Sequence, residues 1–494
     1  MEVGKEMRTQ YMKKCIRYSF FTAFLTFLIV GFLFKDFNII LFSILFLWIN
    51  NVIFSLENFK RRFIFLIFHG TLFLFLLSRP VISFFEGKAW WIEYGKRHVM
   101  FALIALMLSM LSMFIGAWLA EEKAKTVKKP SVCGESWKRE KFAESFQNIA
   151  LVIFSVSAAF FFLAEGEKLI FMHGKGYLAY YTDFKSTLPS IVHFVASFMK
   201  VSLCAFLATW PSKKKTFIPL VIFLISALPS LIIGLRNPIM LNGLFIFTYY
   251  LIRDAMEDKE KWIGAFEKSA LLIGIPVLIV FMAAYSYIRS GWSMEGRGIG
   301  KLFVAFFYGQ GVSFDVLAIG HRCIPLLPDK GFKNYTFGGI LDYFIHGSIG
   351  QKLFGTEALD SGNSIKNALE SNSLSHGISY IDKGKDYLGG QGWGSSYILE
   401  SFADYGYIGI IVFSIILGVL LVYGMTLLKK NELCRIIVLM SLINIYFAPR
   451  AEATGWLTFI VTIQFWIAVI VIYMLAGLCS RSYSDIKKVR IKNV

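Results

Sequence analysis

Chemistry in this chain has one natural home, the stretch Ser375–Ile410, which reads SHGISYIDKGKDYLGGQGWGSSYILESFADYGYIGI. Gly389, Gly390, Gly392 and Gly394 make a loop free of obstructing side chains, and Ser395 or Ser396 can cap the helix that follows. The start of such a helix presents backbone N–H groups without intrahelical partners, so it attracts phosphate. Glu400 and Asp404 lie one turn apart on one face of that helix, and His376, which titrates near neutrality, precedes the glycines. GGQGWGSS is not a Walker motif, because no Lys precedes the serines and no strand leads into it.

Four arginines could supply the positive charge that a phosphate needs. Arg236 sits in LIIGLRNPIM, a very short turn between apolar blocks, with Arg289 in SYIRSGW and Arg297 in MEGRGIG. Each admits two readings. One is an anchor that snorkels from a helix end. The other is an anion clamp, since guanidinium is permanently charged and grips two phosphate oxygens at once. Arg450, in FAPRAEATGW, can pair with Glu452 or join the others in a ring on one membrane face that a lipid diphosphate fits. Lys200 lies midway along an apolar block, where an unpaired charge is costly unless it snorkels or faces a cavity. His69 and His193 are expected to be packing residues. His173, His321 and His346 have no Asp, Glu or Cys at metal-ligand spacing, so neither a metal site nor a cofactor is expected.

The elements that must position these groups are membrane helices. The 494 residues are 56% apolar, and the apolar residues fall in blocks long enough to span a bilayer. A net charge of +18 suggests nucleic acid at first sight. The Lys and Arg cluster in short segments between the blocks, however, as the positive-inside rule requires, so the partner is the lipid bilayer and not nucleic acid. Six cysteines, at 15, 133, 204, 323, 434 and 479, show no metal-ligand spacing. The basic, then apolar, N-terminus lacks a small-residue cleavage site and reads as an uncleaved first span.

Hydropathy therefore predicts an all-α polytopic membrane protein of about 12 transmembrane helices. They fall near 18–34, 38–55, 63–85, 98–120, 147–165, 189–209, 217–235, 237–252, 268–288, 397–427, 433–448 and 456–479. Both termini come out cytoplasmic, and residues 289–396 form a large outer loop on a single membrane domain covering 1–494. Residues 302–319 are a competing span, interrupted by Gln310 and Asp315. Their crossing would send the basic tail outside, so an amphipathic or shallowly inserted segment is expected there and at 340–349.

With these elements in place, NSLSHGISYIDKGKDYLGGQGWGSSYILESFADYGYIGIIVF resembles the signature region of Wzy-type O-antigen and capsular repeat-unit polymerases, and GLRNPI around Arg236 is similar to that family too. The resemblance implies a C-type-glycosyltransferase-like membrane fold. It also implies glycosyl transfer on the outer face, in which a growing glycan on undecaprenyl diphosphate moves to the next lipid-linked repeat without a metal. Donor and acceptor lipids are the implied partners, with a flippase and a chain-length regulator beside them. Arg236, Arg289, Arg297 and Arg450, with Ser395 and Ser396, would hold the departing diphosphate, and Gly392 and Gly394 would shape the loop. His376 is preferred to Glu400 as the base because it titrates near neutral pH, whereas Glu400 would need burial to raise its pKa. Glu400 could instead orient the loop or bind a sugar hydroxyl. Two alternatives stay open: an O-antigen-ligase-like transferase with the same leaving group, and a flippase or secondary transporter. Against the transporter, polar features gather outside the bilayer midplane and no two-halved repeat is visible.

Overall fold

The computed structural model describes the chain apart from residues 1, 127–135, 177, 257–259, 290–297, 329, 330, 332, 493 and 494, and describes backbone alone at 2–10, 123–126, 136–139, 286–289 and 482–492. Among the described residues every regular element is helical. Twelve helices are long and apolar enough to cross a membrane: Tyr11–Phe34, Phe37–Glu57, Phe59–Phe85, Lys96–Glu122, Glu140–Met172, Ser190–Ala208, Lys213–Ile233, Ala265–Tyr285, Ile299–Leu326, Tyr397–Leu427, Glu432–Arg450 and Ile463–Arg481. The chain forms two compact units, one of residues 1–125, 263–425 and 445–455, the other of 126–262, 426–444 and 456–494.

In the first unit the helices Lys96–Glu122 and Tyr397–Leu427 touch through their backbones. A Cβ placed on Gly116 would lie 2.1 Å from the Ile415 carbonyl oxygen, and one on Gly418 would lie 2.1 Å from that of Met113. Only glycine allows that approach, which is how membrane helices gain van der Waals contact when no hydrophobic force drives them together. Ser109 fastens the same pair, its hydroxyl 2.7 Å from the Tyr397 hydroxyl and 2.9 Å from that of Ser414. Gly406, at φ 62° and ψ −152°, breaks the long Tyr397–Leu427 helix into a short upper piece and a long rod. That backbone region is open only to glycine.

The segment 302–319 lies within Ile299–Leu326, whose length and composition suit a crossing. The helix divides at Gly311 into Ile299–Gln310 and Val312–Cys323. Phe314 packs on Trp90, and His321 stacks on Phe101 and lies 2.8 Å from His98, so the second half stays at the end of the unit where the 86–95 connection leads into the Lys96–Glu122 helix. Its polar interruptions meet protein, as shown below. The Phe59–Phe85 helix contains a π-helical turn at Phe73–Leu77, which re-aims the residues after it, Ser78 and Arg79, toward Gly311.

In the second unit the helix expected over 237–252 forms as Asn237–Ala255, but it is too polar to join the twelve. The polar groups are answered inside the protein: Asn242 Nδ2 donates to the Phe223 carbonyl at 2.7 Å, and buried Arg253 donates to the Pro211 carbonyl at 2.7 Å. Gly234, at φ 111°, turns the chain back after Lys213–Ile233. Lys213 N then donates to Glu260 at 2.7 Å and Lys213 Nζ to the Trp262 carbonyl at 3.0 Å, so the return helix runs the full depth of its partner.

Candidate functional site

The glycine loop is fixed from three sides within the first unit. Ser379, on the helix Leu374–Lys383, accepts from Trp393 N at 2.8 Å, and Trp393 Nε1 donates to Asp382 at 2.7 Å. Lys383 Nζ sits 4.3 Å from the Trp393 ring centroid. Gly392 is opposite Ser379, where an added Cβ would meet the Ser379 hydroxyl at 3.4 Å; one on Gly394 would meet the Arg450 carbonyl oxygen at 3.3 Å. The two glycines thus let the loop lie flat between the helix that carries His376 and the turn that carries Arg450.

Ser395 and Ser396 are both buried where the Tyr397 helix begins. Ser396 is the cap: its hydroxyl lies 3.4 Å from Ile398 N and its carbonyl accepts from Glu400 N at 3.0 Å. The Ser395 hydroxyl donates to Glu400 Oε1 at 2.7 Å, and Glu400 Oε2 accepts from Ala453 N at 2.7 Å. Glu400 is fully buried with both oxygens occupied, so its carboxylate ties the glycine loop to the 451–454 turn.

Asp404, one turn on, makes the matching tie. It accepts from Thr336 N at 2.6 Å and from the Thr336 hydroxyl at 2.7 Å, while the Thr336 carbonyl accepts from Thr454 at 2.8 Å. Three segments distant in sequence therefore meet at Thr336. Half-buried Glu452 stands beside them, and its pKa is raised by burial and by the nearby Asp342 charge.

His376 is half-buried in its own pocket of contacts. Its Nδ1 is 2.8 Å from the Tyr387 hydroxyl, which lies 3.1 Å from the Ser364 carbonyl. The hydroxyl has one proton for two acceptors, Nδ1 and the Ser364 carbonyl; with the proton on the Ser364 side, Nδ1 donates to Tyr387 and the lone pair lies on Nε2, the tautomer a base requires. Burial lowers the His376 pKa below its ordinary 6.5, so the ring is neutral at pH 7. Burial likewise pushes the Tyr387 phenol up to about 12, so it keeps its proton. Among the described residues no hydrogen bond joins His376 to Glu400. They share the loop between them, His376 one turn before Ser379 and Glu400 beyond Gly392 and Gly394.

Arg450 donates to the Gln310 carbonyl at 3.1 Å and to its side-chain oxygen at 3.2 Å. Arg79 reaches the same helix break from the other side. Its guanidinium is 2.9 Å from buried Asp315 and 4.5 Å from the Tyr308 ring centroid, and its Cβ would lie 2.5 Å from one built on Gly311. Sequence reasoning missed Arg79. The signal was present: an arginine in LLSRPV and an aspartate in SFDVLAIG are single charges in apolar runs, which need each other. Tyr94 lies near the same Asp315, and burial and that carboxylate raise its pKa.

The remaining arginines are placed differently. Arg236 is half-buried and opens the Asn237–Ala255 helix of the second unit, two residues after Gly234. Arg289 ends the Ala265–Arg289 helix, with its side chain outside the described residues, and Arg297 lies outside them altogether. The structure thus gathers Gly392, Gly394, Ser395, Ser396, Glu400 and Arg450 around one loop, with His376 on the neighbouring helix.

The arrangement offers a neutral imidazole, a pre-shaped glycine loop and guanidinium groups held by neutral or acidic partners, parts suited to moving a proton and receiving an anion. Comparison with curated proteins and with solved structures gave no match. The family model for O-antigen polysaccharide polymerase Wzy, in contrast, matches residues 16–482, nearly the whole chain. With its dozen apolar helices, the chain belongs to the O-antigen polysaccharide polymerase Wzy family, a multi-pass protein of the bacterial cytoplasmic membrane.

Proposed function

We propose that this polymerase joins undecaprenyl-diphosphate-linked repeat units on the outer face of the membrane, with both termini cytoplasmic and the outer loop 289–396 covering the reaction. His376 Nε2 takes the proton of an acceptor sugar hydroxyl as that oxygen bonds to the anomeric carbon of the donor. The bond from that carbon to the diphosphate breaks, and its electron pair leaves with the lipid diphosphate. Arg450 meets the released charge, with Arg79 holding the Gln310–Gly311 break on which Arg450 rests; Arg236, in the second unit, keeps the anion-clamp role that the GLRNPI resemblance implies. A positioned base contributes roughly 10²–10⁴-fold. Charge stabilisation by preorganised donors contributes a similar share for each donor, about 10²–10³-fold. No step in this scheme calls on a metal. Glu400 serves as the positioning residue that fixes the loop, and a flippase and a chain-length regulator are the natural neighbours of such an enzyme.

The observation that carries this reading is the Glu400 tie, 2.7 Å to Ser395 and 2.7 Å to Ala453 N, which sets the glycine loop against the turn of Arg450 in a chain of the polymerase family. The test is reconstitution. Purified protein in nanodiscs supplied with lipid-linked repeats should give a ladder of products, lost in His376→Ala and in Arg450→Ala. Unchanged ladders in both variants would remove the site assignment. A single addition to a different acceptor would mark the ligase reaction.

A further inference from the structure

Trp393 stands half-buried in the glycine loop, between Gly392 and Gly394, which are exposed and carry no side chain to overhang it. Trp48, Trp90 and Trp262 pack their rings against other aromatic side chains, whereas Trp393 meets no aromatic ring among the described residues. Its position is nevertheless fixed. The backbone N–H donates to the Ser379 hydroxyl at 2.8 Å and the indole Nε1 to Asp382 at 2.7 Å, while Lys383 Nζ lies 4.3 Å from the ring centroid. Asp382 is itself held by an ion pair with Arg322. Ser379 and Lys383 follow His376 at i+3 and i+7 on the helix Leu374–Lys383, so the residues that hold Trp393 share one helix face with His376. Along the helix axis they stand about 4.5 and 10.5 Å from it, a span of sugar size.

Such a ring is not a membrane anchor. A tryptophan of the interfacial belt sets its ring among the lipid headgroups and leaves its N–H to water. This one has committed its N–H to Asp382 and carries an ammonium against its ring. An aromatic surface that is ordered in advance, partly open and bordered by charged side chains offers apolar area to a ligand without a further ordering cost. The ligand that fits it is apolar on one face and polar around its edge. A pyranose ring has that form: its C–H bonds meet the electron-rich indole face while its hydroxyls point to the rim. At that rim Lys383 Nζ has neither a hydrogen bond nor an ion pair among the described residues, so its donors are open to a sugar oxygen.

We propose that Trp393 is a sugar platform: a pyranose ring of the lipid-linked repeat unit stacks on its indole beside His376, and Lys383 donates to an oxygen of the same ring. The platform rests on the glycan substrate proposed above and adds to it the residue that grips the sugar, where the arginines grip the diphosphate. Stacking uses the C–H face of the sugar, so it sets where the ring lies and requires a pyranose with one unobstructed face.

The test is binding to full-length protein in nanodiscs, read by native mass spectrometry, with two probes: the lipid-linked repeat unit isolated from cells lacking the polymerase, and undecaprenyl diphosphate without sugar. Trp393→Ala should weaken binding of the first roughly tenfold, the weight of a well-packed aromatic contact, and leave the second unchanged. Trp393→Phe, which keeps an aromatic face, should bind within a few-fold of wild type, and Trp393→Leu, apolar but not aromatic, should follow Ala. Unchanged binding of the repeat unit in Trp393→Ala overturns the platform, as does equal weakening of the bare carrier, or Leu binding as well as Phe. Loss of both probes together with a lowered thermal midpoint in Trp393→Ala marks a purely structural loop residue and overturns it too. Product ladders from the wild-type protein test the polymerase reading separately: no ladder, with the binding pattern intact, removes the polymerase and leaves the platform standing.

Discussion

Glu400 can be a base or a brace, and the two roles respond oppositely to a pair of substitutions. Its oxygens accept from Ser395 and from Ala453 N, both at 2.7 Å, in a fully buried setting. A buried hydrogen-bonding group left without its partner costs about 1–3 kcal/mol, so Glu400→Ala, which strands the Ser395 hydroxyl and Ala453 N, should cost roughly 2–6 kcal/mol of local stability and let the loop part from the Arg450 turn. Glu400→Gln keeps most of this. Its amide oxygen can still accept from Ala453 N, and its NH2 can donate to the Ser395 hydroxyl, which rotates to become an acceptor. A brace therefore predicts ladders from Glu400→Gln within a few-fold of wild type and none from Glu400→Ala, with a lowered thermal midpoint for the alanine variant alone. A base predicts loss of roughly 10²–10⁴-fold in both, at unchanged stability for Gln. Reconstituted polymerisation and thermal unfolding in detergent, run on the same preparations, separate the two. An inactive but fully stable Glu400→Gln would refute the bracing argument.

Three further outcomes follow from the same geometry. Because the folded state lowers the His376 pKa below 6.5, the neutral ring is present at pH 7 and lost as the pH falls through that lowered value. Polymerisation should show an acid limb below pH 6.5, and Tyr387→Phe, which removes the partner of Nδ1, should lower the rate and move the limb, as a pH–rate profile would reveal. Arg236→Lys keeps the charge but loses the two-pronged fork, so polymer made in cells should shorten; full-length product would mark Arg236 as an anchor. Gly418→Ala places a methyl 2.1 Å from the Met113 carbonyl oxygen and should cost about 1–3 kcal/mol, seen as a lower thermal midpoint with Gly116→Ala behaving alike.

Hydropathy made the helices legible because a bilayer imposes one length on everything that crosses it. It was weakest where protein replaces lipid as the surroundings. Asn237–Ala255 hides its Asn242 and Arg253 against Phe223 and Pro211, and Ile299–Leu326 hides Gln310 and Asp315 against Arg450 and Arg79. In both cases the residue pattern does not say whether a polar group meets a partner or water. The Gly392–Glu400 stretch announced itself through composition, and its contacts agree with a shaped loop and a capped helix. What no local pattern contained was the tertiary partner of each polar group: Ala453 N for Glu400, Thr336 for Asp404, Tyr387 for His376. Such pairings join residues 11 to 68 positions apart and exist only once the chain has closed.

Gly406 adds a mechanical property to this enzyme. The short piece above it, which carries Glu400 and Asp404, is pinned to Ala453 and Thr336, whereas the rod below is held where Gly116 meets Ile415 and Gly418 meets Met113. The two pieces are thus anchored separately and joined at one glycine, so ladders from bilayers of different thickness are expected to depend less on lipid length in the native protein than in Gly406→Ala.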